Sequence, residues 1–204
     1  MKNTLIACLL LVATALPSMA SAAVGGRAGV FGGTYKFENT SSVTQDTNAY
    51  GYLLGGTASF EYFFVDLGLE YQHLANDFLD RTDYLGTVGL KLGNFSVFAG
   101  YREGHYGDDF NSDDYFKETG PLGGVGASFD LDAVLLSVSV AYNKVDLDPL
   151  TTEADGFSAR VRAAFSGTPH AVFLRAQKFD GDSPVFTTFT FSEEYVQLGY
   201  DYSF

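Results

Sequence analysis

The chain alternates apolar and polar residues with period 2, in segments of about ten, for nearly its whole length after residue 22. Such alternation places one set of side chains on each face of a strand, and helical periodicity is almost absent. Val65, Leu67, Leu69 and Tyr71 oppose Asp66, Gly68, Glu70 and Gln72. Val134, Leu136, Val138, Val140 and Tyr142 oppose a face holding Ser137, Ser139 and Asn143. Phe157, Ala159, Val161, Ala163 and Phe165 oppose Ser158, Arg160 and Arg162. The pattern predicts ten strands, near 24–38, 50–62, 64–73, 83–92, 95–103, 122–131, 133–143, 157–166, 170–179 and 188–204. An eight-stranded alternative requires two of them to be loop, with 170–179 the weakest.

The connections alternate in length. Short turns fall near residues 62–63, 93–94, 130–132 and 167–169, and long polar loops near 39–49, 74–82, 104–121, 144–156 and 180–187. Aromatics sort to both ends of the apolar face. Tyr52, Tyr71, Tyr84, Tyr101, Tyr142 and Phe157 lie toward the long loops; Phe60, Tyr62, Phe95, Phe129, Phe165 and Phe204 lie toward the short turns. Leu, Val, Ala and Gly fill the band between. A soluble β-sandwich also alternates, but it has no reason to sort rings to two ends, whereas a bilayer has two interfaces that favour them. The opposite face carries Lys36, Glu38, Glu61, Asp66, Glu70, Lys91, Arg102, Asp130, Arg160, Arg162, Arg175 and Asp201, which suits a watery lumen. In lipid every backbone N–H and C=O needs a partner, so such a sheet must close on itself. The expected fold is all-β: a closed antiparallel up-and-down barrel.

The first residues read as an export signal. Lys2 supplies a positive start, Leu5 to Leu16 an apolar run shorter than the ~20 residues of a membrane helix, and Ala20-Ser21-Ala22 a cleavage site. The expected division is a signal peptide, 1–22, and a barrel, 23–204. Cys8, the only cysteine, leaves with the signal. Twelve Lys and Arg against 25 Asp and Glu give a net charge of −13, which excludes a nucleic-acid partner.

The chain ends Tyr195-Val-Gln-Leu-Gly-Tyr-Asp-Tyr-Ser-Phe204, with Val196, Leu198, Tyr200, Tyr202 and Phe204 alternating. This resembles the closing strand of small porin-like and OmpA/OmpX-like outer-membrane barrels of Gram-negative bacteria. The resemblance implies that Tyr200, Tyr202 and Phe204 form the signal read by the barrel-assembly machinery. It also implies a location in the outer membrane, among its lipids and lipopolysaccharide, as a monomer without a cofactor. The absence of Trp departs from many members; Tyr and Phe take its place.

A ten-stranded ring is roughly 20 Å across its backbone, leaving a bore of ~8–10 Å. Arg and Glu together reach about 14 Å, so most opposed charges are expected to face each other across water. Asp66, Glu70, Lys91, Arg102, Arg160, Arg162 and Arg175 are the expected pore-lining charges, with no acid adjacent to the three clustered arginines. The contrary expectation is that these groups pair and plug the lumen. Asp109, Asn111 and Asp113 begin like a calcium loop, but Asp114 replaces the glycine at its sixth place and Gly120 the glutamate at its twelfth, so only a loose cation site is expected. Lipid-modifying barrel enzymes use His with Ser on the lipid-facing rim. Here His73 and His105 have no outward Ser in register and His170 lies in a turn, so no enzyme is expected. The functional expectation is a narrow passive pore or a surface-exposed structural protein. The alternatives are a plugged surface interaction or adhesion protein and a lipid-modifying enzyme.

Overall fold

The computed structural model describes residues 23–39, 44–75, 80–107, 116–148, 152–182 and 190–204. The expected signal peptide lies outside them. Ten strands form one closed antiparallel barrel: β1 Ala23–Asn39, β2 Thr44–Ser59, β3 Phe63–Leu74, β4 Asp80–Leu92, β5 Phe95–Gly107, β6 Phe116–Asp130, β7 Val134–Asp148, β8 Thr152–Phe165, β9 His170–Asp182 and β10 Thr190–Ser203. Each strand pairs with the next, and β10 pairs with β1. Ten strands are present, including the doubtful ninth. Phe204 seals the seam: its N–H donates to Gly26 O (2.9 Å) and its carbonyl accepts from Gly26 N (2.7 Å). Three tight turns hold the described residues of positive φ: Gly93 (66°), Asp132 (62°) and Gly167 (73°). Glycine adopts that conformation freely, and Asp tolerates it better than most residues.

Adjacent residues on a strand meet opposite environments. Leu198 is 64% exposed on the outer surface, while Gln197 beside it is fully buried in the interior. A soluble core would have the reverse arrangement. Val30, Leu54, Val88, Val125 and Leu174 continue the exposed apolar band. Tyr50, Tyr52, Tyr84, Tyr101, Tyr142 and Phe157 ring it at one end; Phe95, Phe129, Phe165 and Phe204 ring it at the other. Neighbouring girdle rings touch, with centroids 5.1 Å apart for Tyr52–Tyr71 and 5.3 Å for Tyr142–Phe157.

The strands run past the long-loop girdle. A membrane crossing takes ~9–11 residues, yet β1 has 17 and β7 has 15. The extra turns of sheet lie above Tyr101 and Tyr142, in stretches expected to be loop. There the polarity inverts. Val145, Leu147, Ala154, Phe179 and Phe191 are buried inside with Phe37 packed against them, and Tyr35, Ala49, Leu74 and Tyr195 form a second cluster. The outside carries ion pairs: Lys117–Glu103 and Lys144–Glu153, both 2.8 Å. Lys36 and Glu38, expected in the lumen, are one such outer pair, 2.6 Å apart. Above the lipid the exterior meets water and the interior is dry, so their expected facing reverses.

Candidate functional site

All seven residues expected to line the lumen do face the interior, because strand parity places them there. The register explains who meets whom. Leu53 opposes Glu70 and Thr57 opposes Asp66 across β2–β3; Arg160 opposes Arg175 and Arg162 opposes Phe173 across β8–β9. The chain's six arginines, including Arg27 and Arg81, all point inward, whereas Lys36, Lys117, Lys144 and Lys178 lie on outward positions. A planar guanidinium is weakly hydrated and binds carboxylates by two parallel bonds, so it tolerates a confined interior better than an ammonium.

The expected water gap between opposed charges does not exist. Arg175 Nη1 donates to Glu70 across the lumen, from β9 to β3, and Arg175 Nε donates to Gln197 (2.7 Å). Arg102 on β5 reaches Gln177 on β9 (2.8 Å) and also Asp83 (3.0 Å). These partners stand four strands apart, and the side chains meet, so the ring is narrower along that direction than a circular one of ~20 Å. Nor do the arginines lack acids. Arg162 donates from Nε and Nη2 to the two oxygens of Asp201 (2.9 and 2.5 Å). Asp66 takes Arg27 (2.9 Å) and the Thr57 hydroxyl (2.6 Å), not Lys91. Lys91 instead binds Phe60 O (2.8 Å) and Ser59 at the short-turn rim.

Above these bridges sits a buried ionic cluster that the sequence reading missed. Arg81 is 0% exposed at its side chain. It donates to Asp83 (2.8 Å), Glu118 (3.0 Å), Tyr106 and Glu193. The Tyr106 hydroxyl lies 3.0 Å from Glu118 and 2.9 Å from Glu193, and the Arg81 guanidinium stands over the Tyr106 ring. β4, β5, β6 and β10 thus converge on one cation, with the two apolar clusters beside it. Arg81 and Glu118 fall in the stretches expected to be loop, where polar residues interrupt the apolar face. The available signal was continued alternation: Arg81 and Asp83 against Thr82 and Tyr84.

Below this cluster the interior opens into a cavity of about 330 Å³. Arg27, Arg160, Arg162 and Arg175 line one side; Ser137, Ser139 and Ser158 stand beside them, with Leu85, Phe98 and Leu122 beyond. Its mouth is at the short-turn end, where inward-facing Ser128 and Leu135 are exposed. Among the described residues no group of His, Cys, Asp and Glu could hold a metal ion. Asp109, Asn111 and Asp113 lie outside the described residues. His73 pairs with Asp80 (2.7 Å) and His105 with Glu103 (2.8 Å), both on the exterior, while His170 meets the Tyr200 hydroxyl (2.5 Å).

An even number of antiparallel strands, a closed ring, an apolar belt between two aromatic girdles and a polar interior define a transmembrane β-barrel of the Gram-negative outer membrane. Solved barrels of that membrane are similar in structure. The anion-selective porin from Comamonas acidovorans has 16% identity and a TM-score of 0.40 over 78% of this chain, which spans 56% of the porin's length. The outer membrane protease OmpT from Escherichia coli has 11% identity and a TM-score of 0.43, covering 92% of this chain and 100% of its own. The translocator domain of the autotransporter NalP from Neisseria meningitidis has 12% identity and a TM-score of 0.43, covering 98% and 95%. No protein-family model matches the sequence, and no curated protein matches it.

Proposed function

We propose that the protein is a surface-exposed structural or interaction barrel whose lumen is closed to passing solutes. The observation that carries this reading is Arg81, buried to 0% and held by groups from four strands at the outer end of the bore. An ion crossing there would have to displace a cation from three carboxylates, or open two packed apolar clusters. The charged collar above the girdle supplies the surface, with outer-membrane lipids and lipopolysaccharide as its surroundings. The reading assigns no catalytic role to the outer histidines, which lie 2.7 Å from Asp80 and 2.8 Å from Glu103 on that collar.

Single-channel recording of the purified barrel in a planar bilayer tests this directly. The expected trace is flat, with no stepwise conductance. A stable open level in the unmodified protein would replace the closed barrel with a pore.

A further inference from the structure

We propose that the inner cavity is a binding site for a small organic carboxylate, entering from the short-turn, periplasmic end and centred on Arg160. The cavity is lined by five arginines, Arg27, Arg102, Arg160, Arg162 and Arg175, and by Asp66, Glu70 and Asp83, with Asp201 behind Arg162 as a fourth carboxylate. Four of the arginines are assigned: Arg27 to Asp66, Arg102 to Asp83, Arg175 to Glu70, Arg162 to Asp201. Arg160 is the remainder. Its nearest carboxylate oxygen, on Asp201, is 3.6 Å away and already takes Arg162 Nε. Neither Nε nor Nη2 of Arg160 makes a hydrogen bond, and Nε of Arg27 is also without one. Buried donors left unmet are rare and costly, so a guanidinium that lines a cavity with two of its nitrogens unbonded and shut off from solvent would gain from an acceptor that draws it toward the cavity.

The surroundings fit an organic anion. The Phe173 ring covers one face of the Arg160 guanidinium at 4.6 Å, which holds it in place, and the side chain is 24% exposed on the cavity side. Ser139 opposes Arg160 in the β7–β8 register, and Ser158 lies two residues away on the same face; both line the cavity and offer hydroxyl donors to a second oxygen. The surplus of one positive charge matches a monoanion. Leu85, Phe98 and Leu122 provide an apolar wall for the rest of the molecule. A volume of about 330 Å³ is at the small end of ligand pockets. The outer seal makes the site a blind pocket, reached from one side.

Benzoate is the probe, with benzamide as its neutral counterpart, each titrated calorimetrically into the refolded full barrel in detergent. Saturable heat is expected with benzoate, and affinity at least ~10-fold weaker with benzamide. Arg160→Gln is expected to weaken benzoate at least ~10-fold while lowering the urea midpoint less than Arg162→Met, because its one ion pair, to Asp201 at 3.6 Å, is long and shared. A purely structural Arg160 would lower that midpoint at least as far as Arg162→Met. Should Arg160→Gln fail to fold, Ser139→Val decides, with weaker benzoate binding expected. No saturable heat with benzoate, equal binding of benzamide, or unchanged affinity in the variants overturns the site. Conductance of the unmodified barrel reports only on the outer seal, so the two proposals fail separately.

Discussion

The same ten strands build two interiors of opposite character. Within the lipid belt the barrel is apolar outside and holds paired arginines around a cavity. Above the belt it is charged outside and packed inside with Phe37, Val145, Phe179 and Phe191, plus one ionic cluster. The strands do not change; the solvent outside them does. In lipid the outward face must be apolar and the inward face is free to be polar. In water the usual rule returns, and a ten-stranded ring is small enough for aromatic rings to fill it. On the two proposals, closure of the lumen belongs to the collar and ligand capacity to the membrane-spanning part. The charges divide accordingly. The seal has Arg81 and Arg102 against Asp83, Glu118 and Glu193, one carboxylate in excess, while the cavity has one arginine in excess.

Removing the cation of the seal is expected to have the largest effect. Arg81→Met leaves Asp83, Glu118 and Glu193 without their shared cation in a dry site. Breaking a buried pair from one side costs about 3–5 kcal/mol. Urea unfolding, followed by gel mobility and tyrosine emission because the chain has no Trp, should show a large fall in midpoint. A midpoint unchanged from the unmodified protein would mean that the collar holds water and that the two interiors do not differ.

The same operation in the cavity is expected to cost less. Arg162→Met removes two bonds to Asp201 and one to Ser203 (3.2 Å). Arg160, already 3.6 Å from Asp201, stands ready to take the vacated oxygens, and water reaches the mouth. A loss of about 1–3 kcal/mol follows from losing charged hydrogen bonds with partial replacement. The midpoint should fall by less than in Arg81→Met, with conductance still at baseline. An equal or larger loss would show that the cavity is as dry as the seal.

This division explains what was legible in the sequence. Ten strands and both girdles were readable because alternation such as Val134 to Tyr142 has a fixed period and a lipid face admits few exceptions. The inward facing of Glu70, Arg160, Arg162 and Arg175 followed from the same parity. Their pairing did not, since Arg175 and Glu70 are 105 residues apart and meet only because the ring is narrowed. The seal was hidden for a different reason. Arg81 and Glu118 sit where the exterior is also polar, so contrast between faces is lost and strand reads as loop; Glu193 lies in the expected tenth strand, but its partners do not follow from that. Lys36 and Glu38 were misplaced by the same inversion.

The smallest effect is expected at the serine wall. The hydroxyls of Ser128 and Ser137 are 3.0 Å apart at the open mouth of the cavity. Ser137→Ala deletes that bond, but Ser128 is exposed and water replaces the lost partner. The methyl group fits where a hydroxymethyl stood, and no charge is stranded. The change in midpoint should therefore stay within about 0.5 kcal/mol, as for surface positions without a special role. A fall of several times that size would place the pair in a dry, closed environment. The lower interior would then be sealed like the upper one, and a ligand would have no route to Arg160.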